Sequence, residues 1–439
     1  MKLFRYNSFF RLTFLTLMAV FLLTLSGRLV TLAGEPAACV AWPLCLPQGI
    51  PGWINLLHRA AVGLVVVLML VILQRAWRDQ REHRLLLAWS TLTVVLFWGQ
   101  VFVGAILVRR GFPPYLALMH TLSGAALWCA LLGLVIFSAL YARDAVAFPR
   151  FDWRQRARDF LTLTKPVVAA LLLVTTYAGM VAGGGTWPSL ELTFWTLLGG
   201  FLAAGGSSAL NQYIDRDLDK NMQRTAGRPL AAGRMMPAEG LAFGLALLVI
   251  SFYLLAGFVN LLAAWLALAG MVYYVFLYSL LLKKATVQNI VIGGGAGAIP
   301  PLVGWAAATG SLSIPALFLF AIVFLWTPPH FWALAIVRRK DYARAGVPML
   351  PVVRGEKQTR TQIFVYTLEL VGLTLLMPLL GYTGSIFLVS ALVLGGALLY
   401  AAWRTWRQAG NKVAWQMYRW SSLYLFFIFA ALALDAVRG

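Results

Sequence analysis

The chain has 439 residues, of which 61% are apolar and only 12% are charged, and its mean hydropathy is strongly positive at +0.79. A soluble domain cannot hide that much apolar surface, so the composition excludes a soluble globular protein and predicts a polytopic membrane protein. The net charge of +21 is high enough for a nucleic-acid-binding protein. However, the basic residues form clusters separated by long uncharged stretches, as the positive-inside rule produces, and no nucleic-acid partner is predicted.

Windows of about twenty apolar residues predict an all-α fold with about thirteen membrane-spanning helices. The first four spans lie near 12–33, 53–74, 85–107 and 115–141. The others follow near 167–184, 192–210, 238–257, 261–281, 287–307, 313–334, 363–381, 384–402 and 418–436. We therefore expect a four-helix unit at 1–145, a cytoplasmic linker at 146–165 and a nine-helix unit at 166–439.

Every second connection between these spans carries most of the basic charge, beginning with Lys2, Arg5 and Arg11 ahead of the first span. Because basic connections stay in the cytoplasm, we expect a cytoplasmic N-terminus and an outside C-terminus in a cell membrane. The first span ends in Gly27-Arg-Leu-Val without a small-x-small cleavage site. We interpret it as a helix rather than as a signal peptide.

The most informative polar stretch, Asn211-Gln-Tyr-Ile-Asp-Arg-Asp-Leu-Asp-Lys220, follows the sixth predicted span. On a helix, Asn211, Asp215 and Asp219 repeat at i, i+4 and i+8 and so share one face. Neighbouring carboxylates repel each other unless a cation lies between them, and Mg²⁺ is the natural candidate. Asp217 points away from this face, so we expect it to be solvated or to support the others. The alternative is a solvated loop between two spans.

Basic residues suited to phosphate oxygens follow the acidic stretch. Arg224 and Arg228 are four residues apart, and Lys283 and Lys284 lie in a later connection. Carboxylates for a metal followed by arginines for phosphates indicate a diphosphate-binding site. For the two lysines, a simple positive-inside cluster is an equal alternative.

A second polar region contains Trp326-Thr-Pro-Pro-His330-Phe-Trp and, further on, Asp341. By the charge alternation it lies on the same side as Asp215. Pro328-Pro329 is expected to break its helix beside a cavity, because freed backbone groups are tolerated in lipid only there or against another helix. An ionisable His330 next to the break is a site candidate. The alternative is a histidine satisfied by a neighbouring helix.

Several of these motifs resemble the UbiA family of intramembrane prenyltransferases, which are nine-helix proteins. Asn211-x-x-x-Asp215-x-x-x-Asp219 is similar to the first aspartate motif of that family. Over roughly 160–436, further segments resemble its protoheme IX farnesyltransferase (heme O synthase) branch. They are Thr225-x-x-Arg228-Pro-Leu, Asn289-Ile-Val-Ile-Gly-Gly, Trp326-x-Pro-Pro-His330-Phe-Trp and Asp341-Tyr-x-x-Ala-Gly-Val-Pro-Met-Leu-Pro.

This resemblance implies Mg²⁺-dependent transfer of a farnesyl group from farnesyl diphosphate to a vinyl group of heme B. The product would be heme O, in the biosynthesis of heme A for cytochrome oxidase. A prenyltransferase for a quinone or chlorin ring, and a non-enzymatic heme-handling membrane protein, are the alternatives.

The resemblance also implies roles for single residues. Asp215 and Asp219 would hold Mg²⁺, with Asn211 as a neutral ligand or orienter. Asp341 would correspond to the second aspartate motif and would be a further catalytic and metal-binding residue. Most family members keep two or more aspartates in that motif. His330 would contact the heme substrate. The diphosphate or a heme propionate would be bound by Arg224, Arg228, Lys283 and Lys284.

The first four predicted spans contain two histidines at similar depth. His58 and His120 each lie about five residues inside the outer end of a span, so the two imidazoles could ligate a heme iron. Ordinary packing is the alternative. Cys39 and Cys45 lie in an outer loop, where an oxidising environment would allow a disulfide.

Gly27-Arg-Leu-Val-Thr, Cys39-x-x-Trp-Pro-Leu-Cys45, His58-Arg59 and His120 together resemble one four-helix half of the heme A synthase family. That family has two such halves, so a homodimer would restore the eight-helix arrangement. Asn55 stands where the family tends to carry glutamate, which argues against hydroxylation. The resemblance implies a unit that binds heme or passes it to a partner.

Overall fold

The computed structural model describes residues 7–32, 46–47, 49–142 and 152–438, without the side chains of residues 31 and 32. Throughout these residues the ordered elements are helices and there is no β-strand, which confirms the all-α prediction. The chain divides into two compact units. One comprises Met1–Arg156 and Met235–Tyr253, and the other comprises Ala157–Arg234 and Leu254–Gly439. Cys39 and Cys45, with the predicted disulfide, lie outside the described residues.

The first unit contains four consecutive helices and a fifth from much later in the chain. These are α1 (Ser8–Leu32), α2 (Gly49–Asp79), α3 (Arg84–Arg109), α4 (Pro114–Tyr141) and α8 (Pro237–Leu254). Ala238 and Ala242 of α8 are buried in the same apolar core as Met69 and Leu131. A domain division by chain order alone does not assign α8 to this unit, because only packing reveals which apolar faces meet.

A buried carboxylate anchors α8 within the first unit. Glu239 is only 1% exposed and accepts hydrogen bonds from both terminal nitrogens of Arg156 at 2.9 and 3.0 Å. It also accepts the Met236 N–H at 2.9 Å, and Arg81 Nε lies 3.7 Å away. A buried carboxylate is tolerated only when it is paired in this way, so the ion pairs hold the start of α8 against the turn after α2.

The second unit contains the remaining elements. They are α5 (Trp153–Leu163), α6 (Pro166–Gly184), α7 (Leu190–Asp219), a π-helical segment (Leu255–Val259), α9 (Leu261–Val272), a second π-helical segment (Tyr273–Leu282), α10 (Lys283–Ala285), α11 (Asn289–Thr309), α12 (Ile314–Val337), α13 (Arg339–Arg344), α14 (Leu350–Val353), α15 (Gly355–Leu379), α16 (Ser385–Arg407) and α17 (Asn411–Arg438). The first residues of α5 belong to the other unit. Leu319, Ile363 and Phe429 lie in its main apolar core.

Glycines allow two helices of this unit to touch through their backbones. A Cβ atom on Gly304 of α11 would lie 1.8 Å from the Thr176 carbonyl oxygen of α6, and one on Gly179 would lie 2.4 Å from the Pro301 carbonyl oxygen. Cβ atoms added on the run Gly293–Gly295 would lie 2.3 to 3.0 Å from neighbouring side chains, so these glycines also allow close packing.

Twelve helices of the described chain are long and apolar enough to cross a membrane. The sequence predicted about thirteen, and the difference is the span near 192–210. It lies within α7, whose 30 residues would extend about 45 Å. Glycines, serines and threonines within this span lower its mean hydropathy.

The prediction that Pro328-Pro329 breaks its helix is wrong, because α12 runs from Ile314 to Val337 with both prolines inside. Each proline removes one backbone donor, and contacts with the neighbouring helix hold the segment in place. The Trp326 indole N–H donates to the Ser421 carbonyl oxygen of α17 at 2.6 Å.

Candidate active site

The C-terminal half of α7 carries the acidic motif on a buried face. Asn211, Asp215 and Asp219 are each at most 3% exposed. The Asn211 amide donates to Asp215 Oδ2 at 2.7 Å, as the predicted spacing of one helical turn allows. Asp217 is 69% exposed and lies 2.9 Å from Lys220, so the prediction that it is solvated is confirmed. The structure therefore places the three predicted side chains on one buried face and leaves the third aspartate, Asp217, exposed.

Asp215 is neutralised by a lysine from a distant part of the chain. Lys283, in α10, forms a short hydrogen-bonded ion pair with Asp215 Oδ2. The second carboxylate oxygen, Oδ1, is buried and has no hydrogen-bond partner among the residues the structure describes. Of the two predicted lysines, Lys283 thus faces the acidic motif, whereas Lys284 is exposed. The unpaired oxygen gives Asp215 capacity for a further cationic ligand.

Asp219 is neutralised by an arginine from the turns that follow α7. Arg228 Nη1 donates to Asp219 Oδ2 at 2.7 Å. Thr225 Oγ1 donates to the Asp219 carbonyl oxygen at 3.2 Å, which bends the chain back toward the helix end. The contact of Thr225 with the helix end therefore brings the guanidinium of Arg228, three residues later, back to the acidic face.

Lys165 is a site residue that the sequence analysis missed. Its Nζ donates to Asn211 Oδ1 at 3.0 Å. It has φ 48° and ψ 63°, a left-handed conformation that is rare for lysine and stores backbone strain. Burial, together with the nearby charges of Arg228 and Lys283, lowers the pKa of Lys165 to about 7. A single lysine directly before Pro166, at the start of a span, was the available signal.

Ser279 is a second missed residue, and it lies on the second π-helical segment. Its Oγ accepts from the Asn211 amide at 3.0 Å and donates to the Tyr274 carbonyl oxygen at 2.9 Å. Short π-helical stretches often occur at functional sites, because the wider turn re-aims side chains. No residue pattern in the sequence indicates a π-helical segment here, so the contact between Ser279 and Asn211 could not be predicted.

The two other predicted residues, Arg224 and Asp341, differ in exposure. Arg224 is exposed, and burial raises the pKa of the Tyr342 hydroxyl, which the nearby charge of Arg224 partly offsets. Asp341 is buried, and its nearest cation, Arg344, lies 3.9 Å away. Within the described ranges, no group of three His, Cys, Asp or Glu side chains is arranged to hold a metal. Asp341 is therefore not grouped with Asp215 and Asp219 among the described residues, and its metal role stays a prediction.

His330 is enclosed by aromatic side chains. Its Nδ1 is 2.8 Å from Ser421 Oγ, and its ring lies 4.2 Å from the Trp326 ring and 4.4 Å from the Tyr418 ring. These contacts match the alternative of a histidine satisfied by a neighbouring helix. A contact between His330 and heme stays a prediction.

The two histidines of the first unit have parallel surroundings. A Cβ atom on Gly27 would lie 3.2 Å from the His58 ring, and one on Gly104 would lie 3.1 Å from the His120 ring. His58 Nδ1 is 2.8 Å from Ser26 Oγ. Each imidazole therefore lies against a glycine of the preceding helix, α1 or α3.

The nitrogens of His120 are not both satisfied. Its Nε2 is 3.2 Å from the Gln100 amide, whereas its Nδ1 is buried without a partner in the part of the chain the structure describes. Gln100 in turn accepts a short hydrogen bond from Ser123. The contact with Gln100 orients the ring and leaves one buried nitrogen free.

Comparison with known proteins gives consistent matches. A model of the UbiA prenyltransferase family matches residues 172–428. A relative from Roseiflexus sp. (strain RS-1), named "Protoheme IX farnesyltransferase", is 44% identical over 452 residues, which cover 98% of this chain and 84% of the relative. A protein of the same name from Symbiobacterium thermophilum is 49% identical over 297 residues, which cover 67% of this chain and 99% of that protein.

Among solved structures, one concerning a digeranylgeranylglyceryl phosphate synthase is similar to 65% of this chain and to 100% of its own, with a TM-score of 0.56. Its sequence identity is 17%, so this likeness concerns the fold alone.

Proposed function

Because the chain belongs to the UbiA prenyltransferase family, we propose that it transfers a farnesyl group from farnesyl diphosphate to a vinyl group of protoheme IX, giving heme O. The observation that carries this proposal is the buried face of Asn211, Asp215 and Asp219, which is contacted by the basic side chains of Lys165, Arg228 and Lys283. The name shared by the relatives supports the choice of substrates.

Mg²⁺ fits these residues. Asp215 Oδ1 is a buried oxygen without a donor among the described residues, and Mg²⁺ typically takes one or two carboxylates together with substrate phosphates. Asp215 and Asp219 would hold the ion, with Asn211 as a neutral neighbour. When bound, the ion supplies charge neutralisation for the leaving diphosphate.

The cations of the chain bind and orient the diphosphate. Lys283 and Arg228 now neutralise Asp215 and Asp219, so they lie where phosphate oxygens would arrive. As the allylic C–O bond breaks, its electron pair leaves with the diphosphate, and these positive charges stabilise it. Arg224, which is exposed, binds either the diphosphate or a heme propionate.

The apolar core of the second unit keeps water away from the allylic cation until the new carbon–carbon bond has formed. Water would trap that cation, whereas a dry, apolar wall allows the vinyl π electrons to form the bond. Bond formation leaves a positive charge on the vinyl carbon next to the macrocycle, and one water then adds there and releases a proton, which gives the hydroxyl of heme O. The membrane setting of the bundle provides such a wall on the lipid side.

The test is pigment extraction from membranes that express the chain, with separation of hemes B, O and A by mass. The wild type is expected to accumulate heme O, and Asp215→Ala or Asp219→Ala to form none. Asp217→Ala is the matched control, because Asp217 lies on the same helix end but in solvent. Activity within a few-fold of the wild type in both active-site variants would refute the proposal. A prenylated quinone or chlorin would support another acceptor.

We further propose that the first unit binds a heme through His58 and His120. The observations that favour this are the glycine opposite each ring and the unpaired buried nitrogen of His120. The visible spectrum of the purified chain with added heme should show a bis-imidazole signature. His58→Ala/His120→Ala should remove that signature, and His330→Ala should keep it. Identical spectra for the wild type and the double variant would show that the two histidines only pack.

We also propose a cell-membrane location with a cytoplasmic N-terminus and an outside C-terminus. The support is the clustering of basic residues in alternate connections. With that orientation, the Asp219 end of α7 and the Arg407 end of α16 both face the cytoplasm.

A further inference from the structure

A small cavity lies between α16 and α17, near the connection that joins them. Its volume is about 200 Å³. Its lining comprises Tyr400, Ala401 and Arg404 of α16 and Val413, Gln416 and Trp420 of α17. On α17, Ser421 and Tyr418 contact His330 of α12, so the cavity lies on a different part of the α17 surface from the second polar region.

Arg404 brings a positive charge to this cavity. Within the described residues its guanidinium has no carboxylate partner, and it lies 6.0 Å from the centre of the Tyr400 ring. The sequence from Ser385 to Leu434 contains no acidic residue. Glu356, which approaches the connection, already accepts the Gly410 N–H at 3.1 Å and lies 3.7 Å from Arg360. An anion is therefore the ligand charge that the cavity favours.

Gln416 adds a requirement for a hydrogen-bond donor. Its Oε1 is buried and has no donor partner in the described structure. Buried carbonyl oxygens are normally satisfied, so an orphan oxygen on a residue that lines a cavity points to a ligand that carries a hydroxyl or amine hydrogen. The cavity thus combines one cation with one acceptor.

Aromatic side chains place this cavity at the level of the lipid headgroups. Tyr400, Trp403, Trp415 and Trp420 are all exposed at the same end of the helix pair. Tryptophan and tyrosine concentrate where a membrane meets water, and basic pockets between transmembrane helices bind phospholipid headgroups. These aromatic side chains therefore favour a lipid ligand over a water-soluble ligand, which has no contact with the membrane interface.

We propose that the cavity between α16 and α17 binds the headgroup of an anionic phospholipid that also carries a hydroxyl, of which phosphatidylglycerol is the simplest. Arg404 binds the phosphodiester, and the headgroup hydroxyl donates to Gln416 Oε1. Tyr400 and Trp420 flank the headgroup and the start of the acyl chains. The site is distinct from the acidic face of α7 and does not depend on the proposed activity.

The experiment is native mass spectrometry of the full chain with three added lipids of equal acyl chains. Phosphatidylglycerol has the charge and the hydroxyls, phosphatidylmethanol has the charge alone, and phosphatidylcholine has neither. The wild type should bind phosphatidylglycerol several-fold more tightly than phosphatidylmethanol, and phosphatidylmethanol several-fold more tightly than phosphatidylcholine.

Two variants separate the contribution of the lipid charge to binding from that of the headgroup hydroxyl. Arg404→Gln should reduce both anionic lipids to the level of phosphatidylcholine, whereas Gln416→Leu should remove only the preference for phosphatidylglycerol over phosphatidylmethanol. Arg407→Gln is the matched control, since Arg407 is exposed near the same helix end and does not line the cavity. Equal losses in Arg404→Gln and Arg407→Gln would show a general surface-charge effect and overturn the proposal. No lipid preference in the wild type would overturn it too.

Discussion

Lys165 Nζ lies 3.0 Å from Asn211 Oδ1, so the residue before α6 holds the neutral member of the acidic face of α7. The amide group of Asn211 donates to Asp215 at 2.7 Å and to Ser279 at 3.0 Å. These three contacts use the oxygen and both hydrogens of the carboxamide, which sets its orientation. Asn211 is therefore a fixed support for Asp215.

The position of Lys165 predicts proton uptake when diphosphate binds. Its pKa is lowered to about 7 by burial and by the nearby Arg228 and Lys283. The side chain is therefore mostly neutral at pH 8 and charged at pH 6. A bound anion favours the ammonium form, so binding should take up a proton at pH 8 and weaken as pH rises through about 7, by at most about tenfold per pH unit.

Isothermal titration calorimetry with farnesyl diphosphate, in buffers of different ionisation enthalpy, measures this uptake. Lys165→Met should abolish it and weaken binding at pH 6. Lys165→Arg, which stays charged, should bind without the uptake and serves as the control. An unchanged uptake in Lys165→Met would assign the titration to another group.

The close approach of α6 and α11 predicts opposite outcomes for two glycine substitutions on one helix. Gly304→Ala would place a Cβ 1.8 Å from the Thr176 carbonyl oxygen, and backbone cannot yield as a side chain can. Gly297→Ala meets nothing within 4 Å. The first should lower the free energy of unfolding by about 1–3 kcal/mol or more. The second should be neutral or stabilising by about 1 kcal/mol. Thermal unfolding in detergent distinguishes them, and equal stabilities would contradict the close packing.

The ion pairs of Glu239 predict a large effect of removing its charge. Glu239→Gln leaves Arg156 and Arg81 without their shared carboxylate, and breaking a buried pair typically costs about 3–5 kcal/mol. Asp217→Asn removes the carboxylate of an exposed pair with Lys220 and should cost at most about 1 kcal/mol. Thermal unfolding, with yield from membranes as a second measure, compares the two. If the Glu239→Gln chain is as stable as the Asp217→Asn chain, then Glu239 does not anchor α8.

The proposed orientation predicts that the two ends of α7 are accessible from opposite sides. Glu191 and Asp217 are exposed near its start and its end. In a chain whose three cysteines are replaced by serine, Glu191→Cys should react with a membrane-impermeant maleimide on intact cells. Asp217→Cys should react only after permeabilisation. The reverse pattern would invert the proposed topology.

Local sequence determined the spans and the acidic face. Each predicted span corresponds to a helical stretch of the described chain, because a run of about twenty apolar residues favours a helix without reference to any neighbour. Asn211, Asp215 and Asp219 were recognised in the same way, because the repeat of an α-helix brings residues four apart onto one face. The spacing of Thr225 and Arg228 likewise acts within one short stretch of chain.

Only the tertiary structure decided which partners meet these elements. Lys165, Lys283 and Ser279 come from three separate segments, and their contacts with the α7 face depend on how helices pack. The placement of α8 with the first four helices is likewise a matter of complementary surfaces and of the Glu239 ion pairs. Hydropathy and spacing describe one segment at a time. The energy of a buried charge or of a glycine contact depends on how two distant segments pack together. For that reason these features could not be predicted from the sequence.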